Sequence, residues 1–176
     1  MLTPNLIRSC LAGTVAITAL SACTFAETND TITMSVQKPD VIAFESSVAD
    51  MESALKNKCS SLEIREIDPP RIPDVNSQTQ IDCEGFGYFG APRKAEFVFV
   101  NNALMLTWIL VEAEEIPALE LAFSSLFGEP TSSKDTILAY AHNFAAVRND
   151  TPEALYYSQT AAPFVIDRVN KLPDRD

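Results

Sequence analysis

The run "KAEFVFVNNALMLTWILVE", residues 94–112, restricts the possible folds more than any other stretch of the chain. β-branched and aromatic residues fill both arms, and two asparagines separate them. Asparagine tolerates positive φ, so Asn101-Asn102 predicts a two-residue turn between antiparallel strands. Such a turn sets the register. It places Phe99 opposite Leu104, Phe97 opposite Leu106 and Ala95 opposite Trp108 on a core face. Val98 then pairs with Met105, Glu96 with Thr107 and Lys94 with Ile109 on an outer face that is only partly apolar.

Other segments extend this hairpin into a layered domain. "SLEIREID" alternates as a strand, and "TQIDCEGFGYF" reads as another with Ile81, Cys83 and Phe89 on one side. "FESSVADMESALKNKC" carries Phe44, Val48, Met51, Leu55 and Cys59 at helical spacing, with Ser47 and Asp50 as a capping pair, so a helix is expected over about 47–58. "EEIPALELAFSSLFGEP" predicts a second helix with Ile116, Leu119, Phe123 and Leu126 as its buried stripe, ended by Gly128 and Pro130. "DTILAYAHNFAAVR" reads as a hairpin turning at His142-Asn143, "EALYYSQ" as a strand and "APFVIDRVNKL" as a closing helix. The order is helix, four strands, helix, three strands, helix. This pattern predicts an α+β single domain, a mainly antiparallel sheet of about six or seven strands with helices packed on one face. No internal repeat is evident.

The N-terminus reads as an export segment. Arg8 is the only charge before "SCLAGTVAITALSA", an uncharged run of 14 residues. A spanning helix needs roughly 20 apolar residues, so this run has the proportions of a signal peptide over 1–22. Leu20, Ser21, Ala22 and Cys23 resemble the lipobox of bacterial lipoproteins. That resemblance implies a diacylglycerol on the Cys23 thiol and a new N-terminus there. Thr24 in the next position implies the outer membrane. Residues 23–40 then serve as a tether and 41–176 as the domain. The alternative is cleavage after Ala26, which leaves a soluble periplasmic or secreted domain.

Export decides how the cysteines are read. Of the four in the chain, Cys10 departs with the signal and Cys23 is the lipid site. Cys59 and Cys83 remain as one pair, expected to be bonded in an oxidising compartment. The ring encloses the proline-rich loop Pro69–Pro73, which reads either as a restrained recognition element or as a simple crossing from one sheet edge to another.

Composition narrows the partners. Loss of Arg8 leaves 12 basic residues against 24 acids, a balance that repels nucleic-acid backbones and anionic membrane surfaces. Membrane attachment therefore has to come through the lipid anchor. "GFGYFG" at 85–90 matches G-x-G-x-x-G, but Pro92 and a strand follow it where a dinucleotide site needs a helix, so no cofactor is expected. A single histidine, His142, cannot build a two-histidine metal site. Glu112, Glu114 and Glu115 could join Asp82 or Glu84 as a carboxylate cluster, though helix-start stabilisation explains the first three better.

The sequence thus points to a non-enzymatic envelope module, without catalytic residues, that binds a protein or an envelope polymer. Its candidate surface is Phe86, Tyr88, Val98, Met105 and Ile109, together with the Pro69–Pro73 loop. The alternatives are an envelope hydrolase using Glu112 or Glu115 with His142, and a small-ligand carrier with an internal cavity.

Overall fold

The computed structural model describes residues 34–175, so the signal segment, the lipobox with Cys23 and the site after Ala26 lie outside the described residues. One eight-stranded sheet forms the middle layer. Its strands are β1 (Ser61–Glu66), β2 (Gln78–Tyr88), β3 (Ala91–Val100), β4 (Ala103–Leu110), β5 (Ser132–Lys134), β6 (Ile137–Tyr140), β7 (Ala145–Arg148) and β8 (Glu153–Tyr157). The spatial order is β1-β2-β3-β4-β8-β7-β6-β5, and every pairing is antiparallel. The fold is the expected α+β arrangement, with one more strand than the upper expectation because Ser132–Lys134 adds a short edge.

Three helices complete it: α1 (Val48–Leu55), α2 (Ile116–Phe127) and α3 (Ala162–Asn170). The Ser47 hydroxyl caps α1 by accepting from the Asp50 amide at 3.2 Å. Glu112 and Glu115 form reciprocal cap contacts in the short turn that leads into α2. Gly128 ends α2 at φ +82°. Helix α1 followed by β1–β4 has the same topology as α2 followed by β5–β8, and the last strands of the two units, β4 and β8, meet at the centre of the sheet. The chain thus repeats a helix-plus-meander plan that leaves no visible repeat in its residues.

Two cores lie on opposite faces of this sheet. Helices α1 and α2 bury Met51, Leu55, Ile116, Leu119 and Phe123 against Ile81, Phe97, Phe99 and Tyr156. Helix α3 covers part of the other face, where Val165 and Val169 pack with Val98, Leu106, Leu155 and Tyr157, so the helices occupy both faces of the sheet and not the single face expected. Leu126, expected in the α2 stripe, is 48% exposed, and Phe127 packs against the core and the Phe123 ring instead. Packing also begins upstream of residue 41. Val36 is buried, and its carbonyl accepts from the Tyr156 hydroxyl at 2.6 Å.

β-bulges decide which residues face which layer. In β2, Cys83 opposes Ala95 while Phe86 opposes Arg93, so one extra residue is accommodated between them. Gly85 takes up the irregularity at φ +77°, a conformation that a side chain disfavours. Alternation reverses there. Phe86 and Tyr88 therefore turn into the same core as Cys83 and become buried, and the outer position expected for them is corrected. In β4, Phe99 still opposes Leu104, but Val98 opposes Leu106, and Met105 is the extra residue. From there the expected register shifts by one: Ile109 faces Ala95 within the core, and Trp108 lies opposite Glu96 on the other face.

Candidate functional site

The second face of the sheet carries a cleft of about 790 Å³. Its floor is Val98 from β3, Leu106 and Trp108 from β4, and Leu155 from β8. One wall is α3, presenting Phe164, Val165, Arg168 and Val169, and the other is the loop Arg71-Ile72-Pro73. The cleft exists because α3, at nine residues, spans only part of an eight-stranded sheet. The strands on the β1 side extend past it.

The proline-rich wall is fastened at two places. The Gln78 side-chain Oε1 accepts from the amides of Arg71 at 2.8 Å and Ile72 at 3.1 Å. The Asn101 side-chain oxygen accepts from the amides of Asn76 at 3.0 Å and Ser77 at 3.2 Å. Gln78 is itself buried, so both loop amides are satisfied by a group whose burial requires a partner. The Cys59–Cys83 disulfide, with its Cα atoms 5.4 Å apart, closes the ring around this loop.

Polar groups line the β2 edge of the cleft. Gln80 Nε2 donates to Asp82 Oδ1 at 2.6 Å, and Arg65 Nη2 donates to Asp82 Oδ2 at 2.6 Å. On the far side, Arg148 donates to Asp150, Thr151 and Glu153, and its guanidinium carbon sits 5.6 Å from the centre of the Trp108 ring. That cation–π contact holds the indole while leaving it partly exposed to the cleft. Burial pushes the Glu153 carboxyl up to about 7, with Arg148 opposing the shift and Glu96 and Asp150 adding to it. The Asp150 carboxylate is instead held below its usual range, chiefly by its hydrogen bond from Arg148. The rim carries both signs, with Arg71, Arg168 and Lys171 near Glu96, Asp150 and Asp167.

The structure divides the five residues nominated from sequence. Val98 lines the cleft, and Met105 packs beside it in the same layer. Phe86, Tyr88 and Ile109 are buried on the opposite face, at 3%, 3% and 0% exposure, and contribute no surface. Tyr88 is instead part of a hydroxyl chain. Because Tyr156 donates to Val36, the Tyr88 hydroxyl is the donor in its 2.9 Å bond to Tyr156. Burial raises the pKa of both phenols.

The carboxylates do not assemble. Asp82 is engaged by Arg65 and Gln80 on the cleft face, whereas Glu115 Oε1 accepts from Arg93 Nη2 at 2.7 Å at the start of α2. The Arg93 bond and the Glu112 amide hold the Glu115 carboxyl below its usual range. His142 is exposed in the β6–β7 turn, beyond the Tyr140–Ala145 pair. Glu112 follows the opposite end of β4, past the Leu110–Glu153 pair. The register thus sets His142 and Glu112 at opposite ends of the central strands. Among the described residues, no group of three or more His, Cys, Asp or Glu is arranged to hold a metal ion, and no helix is long and apolar enough to cross a membrane. The G-x-G-x-x-G run forms the β2 bulge and the β2–β3 hairpin turn.

The Pro69–Pro73 loop nominated from sequence supplies Arg71, Ile72 and Pro73 to the cleft, whereas Trp108, Phe164 and Arg148 were not identifiable as site residues from sequence. The one available signal was the single tryptophan, but the two-residue turn assigned it to the wrong layer. No family model matches the chain, and the comparisons with curated proteins and with solved structures gave no match.

Proposed function

We propose that this protein is a lipid-anchored binding module of the bacterial envelope, exported through residues 1–22 and held by Cys23. Its site is the cleft over Trp108, and its ligand is an extended segment of an envelope protein. The observation that carries this reading is the combination of an apolar floor with a rim of both signs, enclosed between α3 and a loop fastened by Gln78 and Asn101. Apolar floors with a few fixed polar groups suit ligands that bury side chains. A rim of mixed sign suits a polypeptide better than a uniformly anionic polymer, which calls for cations alone.

The test uses the only tryptophan as reporter. A photo-crosslinking residue replaces Arg71 at the cleft or Lys58 at the end of α1 in the full chain, and crosslinked envelope proteins are identified. A species joined at position 71, missing at 58 and lost in Trp108→Ala with folding intact is expected. Peptides from that species should then shift Trp108 emission on titration. Identical products from both positions would remove the cleft as the site. The intact mass of native protein tests the anchor independently, since acylation adds diacylglycerol and removes residues 1–22, whereas cleavage after Ala26 leaves no lipid.

A further inference from the structure

Where the described chain begins, at Met34, it runs into a second surface, unconnected with the cleft. Residues Met34 and Val36 lie against the outer side of α2 and make a shallow groove with Phe89, Leu121, Ala122 and Leu126. Met34 is 66% exposed, Leu121 71% and Leu126 48%, and these are three of the five large hydrophobic side chains exposed among the described residues. Single exposed apolar residues need no explanation, but their concentration in one patch does. None of the ten residues lining the groove is charged, although acids outnumber bases 24 to 13 in the chain.

We infer that this patch is the surface the domain rests on a lipid bilayer. The inference builds on the reading of Cys23 as the lipid-bearing residue. Ten residues lie between Cys23 and Met34, so an anchored chain emerges from the membrane within about 38 Å of the patch at full extension. An acidic domain tethered so closely meets repulsion from anionic headgroups wherever it presents carboxylates. The uncharged groove is free of that repulsion. Leucine and methionine side chains at the interface gain by leaving water, and they add a second, weak attachment to the acyl chains without a basic patch. This orientation follows from α2 itself: Leu119 and Phe123 point to the core, and Leu121 and Leu126 to the outside, so the helix is apolar on more than its buried side.

The experiment measures orientation directly. The mature chain is joined to a lipid through the Cys23 thiol, which makes the patch test independent of whether cells acylate that residue. Intact mass of the native protein answers that question separately. In a Trp108→Phe background, a reporter tryptophan is placed by Leu121→Trp, or by Asn76→Trp near the opposite end of β2. Vesicles of phosphatidylethanolamine and phosphatidylglycerol carry brominated acyl chains. Emission from the Leu121→Trp protein should fall by about half or more, the response of an indole at the acyl boundary, while the Asn76→Trp protein is unaffected. Adding Met34→Asp and Leu126→Asp should abolish the quenching without releasing the protein from vesicles. Equal emission changes at both positions would overturn the inference. So would a Leu121→Trp indole already shielded in the lipid-free chain and unchanged by vesicles, which would mark residues 24–33 as the occupant of the groove.

Discussion

Arg148 Nη1 donates to Glu153 Oε1 at 2.7 Å, and the Glu153 side chain is only 6% exposed. The pair joins β7 to β8 at the edge of the cleft, and the same guanidinium stacks on Trp108. Burial outweighs the ion pair and raises the Glu153 pKa to about 7 from 4.5. The folded state therefore holds this proton more tightly than the unfolded chain. Its contribution is fully present below about pH 4.5 and is lost as pH rises through about 7, with a limiting size of ~3 kcal/mol. Glu153→Gln should flatten the fall in stability between pH 5 and 7.5, read from urea melts across that range. A slope equal to wild type would show that the carboxyl is ionised throughout.

Gly85 reverses the alternation of β2. A Cβ added there lies 2.9 Å from Ser60 Oγ, at a φ of +77°. Gly85→Ala should cost about 1–3 kcal/mol through backbone strain and that contact. In a Ser60→Gly background the side-chain part of the contact should disappear, while the backbone strain and the 3.2 Å approach to the Ser60 amide nitrogen remain. Denaturant midpoints of the four proteins in this cycle measure both components.

The Tyr156 hydroxyl holds the carbonyl of Val36 across 120 residues of sequence. Tyr156→Phe removes the donor to Val36 and the acceptor for Tyr88, leaving buried polar groups unpaired at a cost of about 1–3 kcal/mol. Hydrogen exchange should show residues 35–42 losing protection ahead of the rest of the sheet. Uniform loss across β2 to β8 would mean that this contact does not govern the segment.

The disulfide closes a ring with a sequence separation of 24. Replacing both Cys59 and Cys83 by alanine should lower stability by about 3.5 kcal/mol on the loop-entropy estimate. The loss should be accompanied by faster exchange in β1 and weaker protection of the Arg71 and Ile72 amides. A thermal melt with a midpoint unchanged from wild type would rule the staple out as a source of stability.

Local signals in the chain were sufficient for every element except the three-residue edge strand β5. Ser47 with Asp50, Gly128 before Pro130, and the asparagine pair each act through bonds or backbone angles within a few residues, so they can be read without tertiary knowledge. The candidate site was less legible. Val98 faces the layer that the Asn101-Asn102 turn predicts, because no residue is inserted in β3 between it and the turn. Ile109 and Trp108 were exchanged because Met105 adds a residue that no turn rule anticipates. Phe86 and Tyr88 were misplaced for the same reason at Gly85.

Cysteine pairing and the α+β alternation of elements were readable from residues alone, because each rests on short-range chemistry or on hydrophobic periodicity. The layer each strand residue faces was settled only in three dimensions. With a side-chain period of two, one inserted residue sends every later side chain through the sheet. Whether an insertion is accommodated as a bulge depends on the neighbouring strands and on the helices packed over them. The cleft has the same origin: it is the part of a wide sheet that a short α3 leaves uncovered, a comparison of lengths between elements distant in the chain.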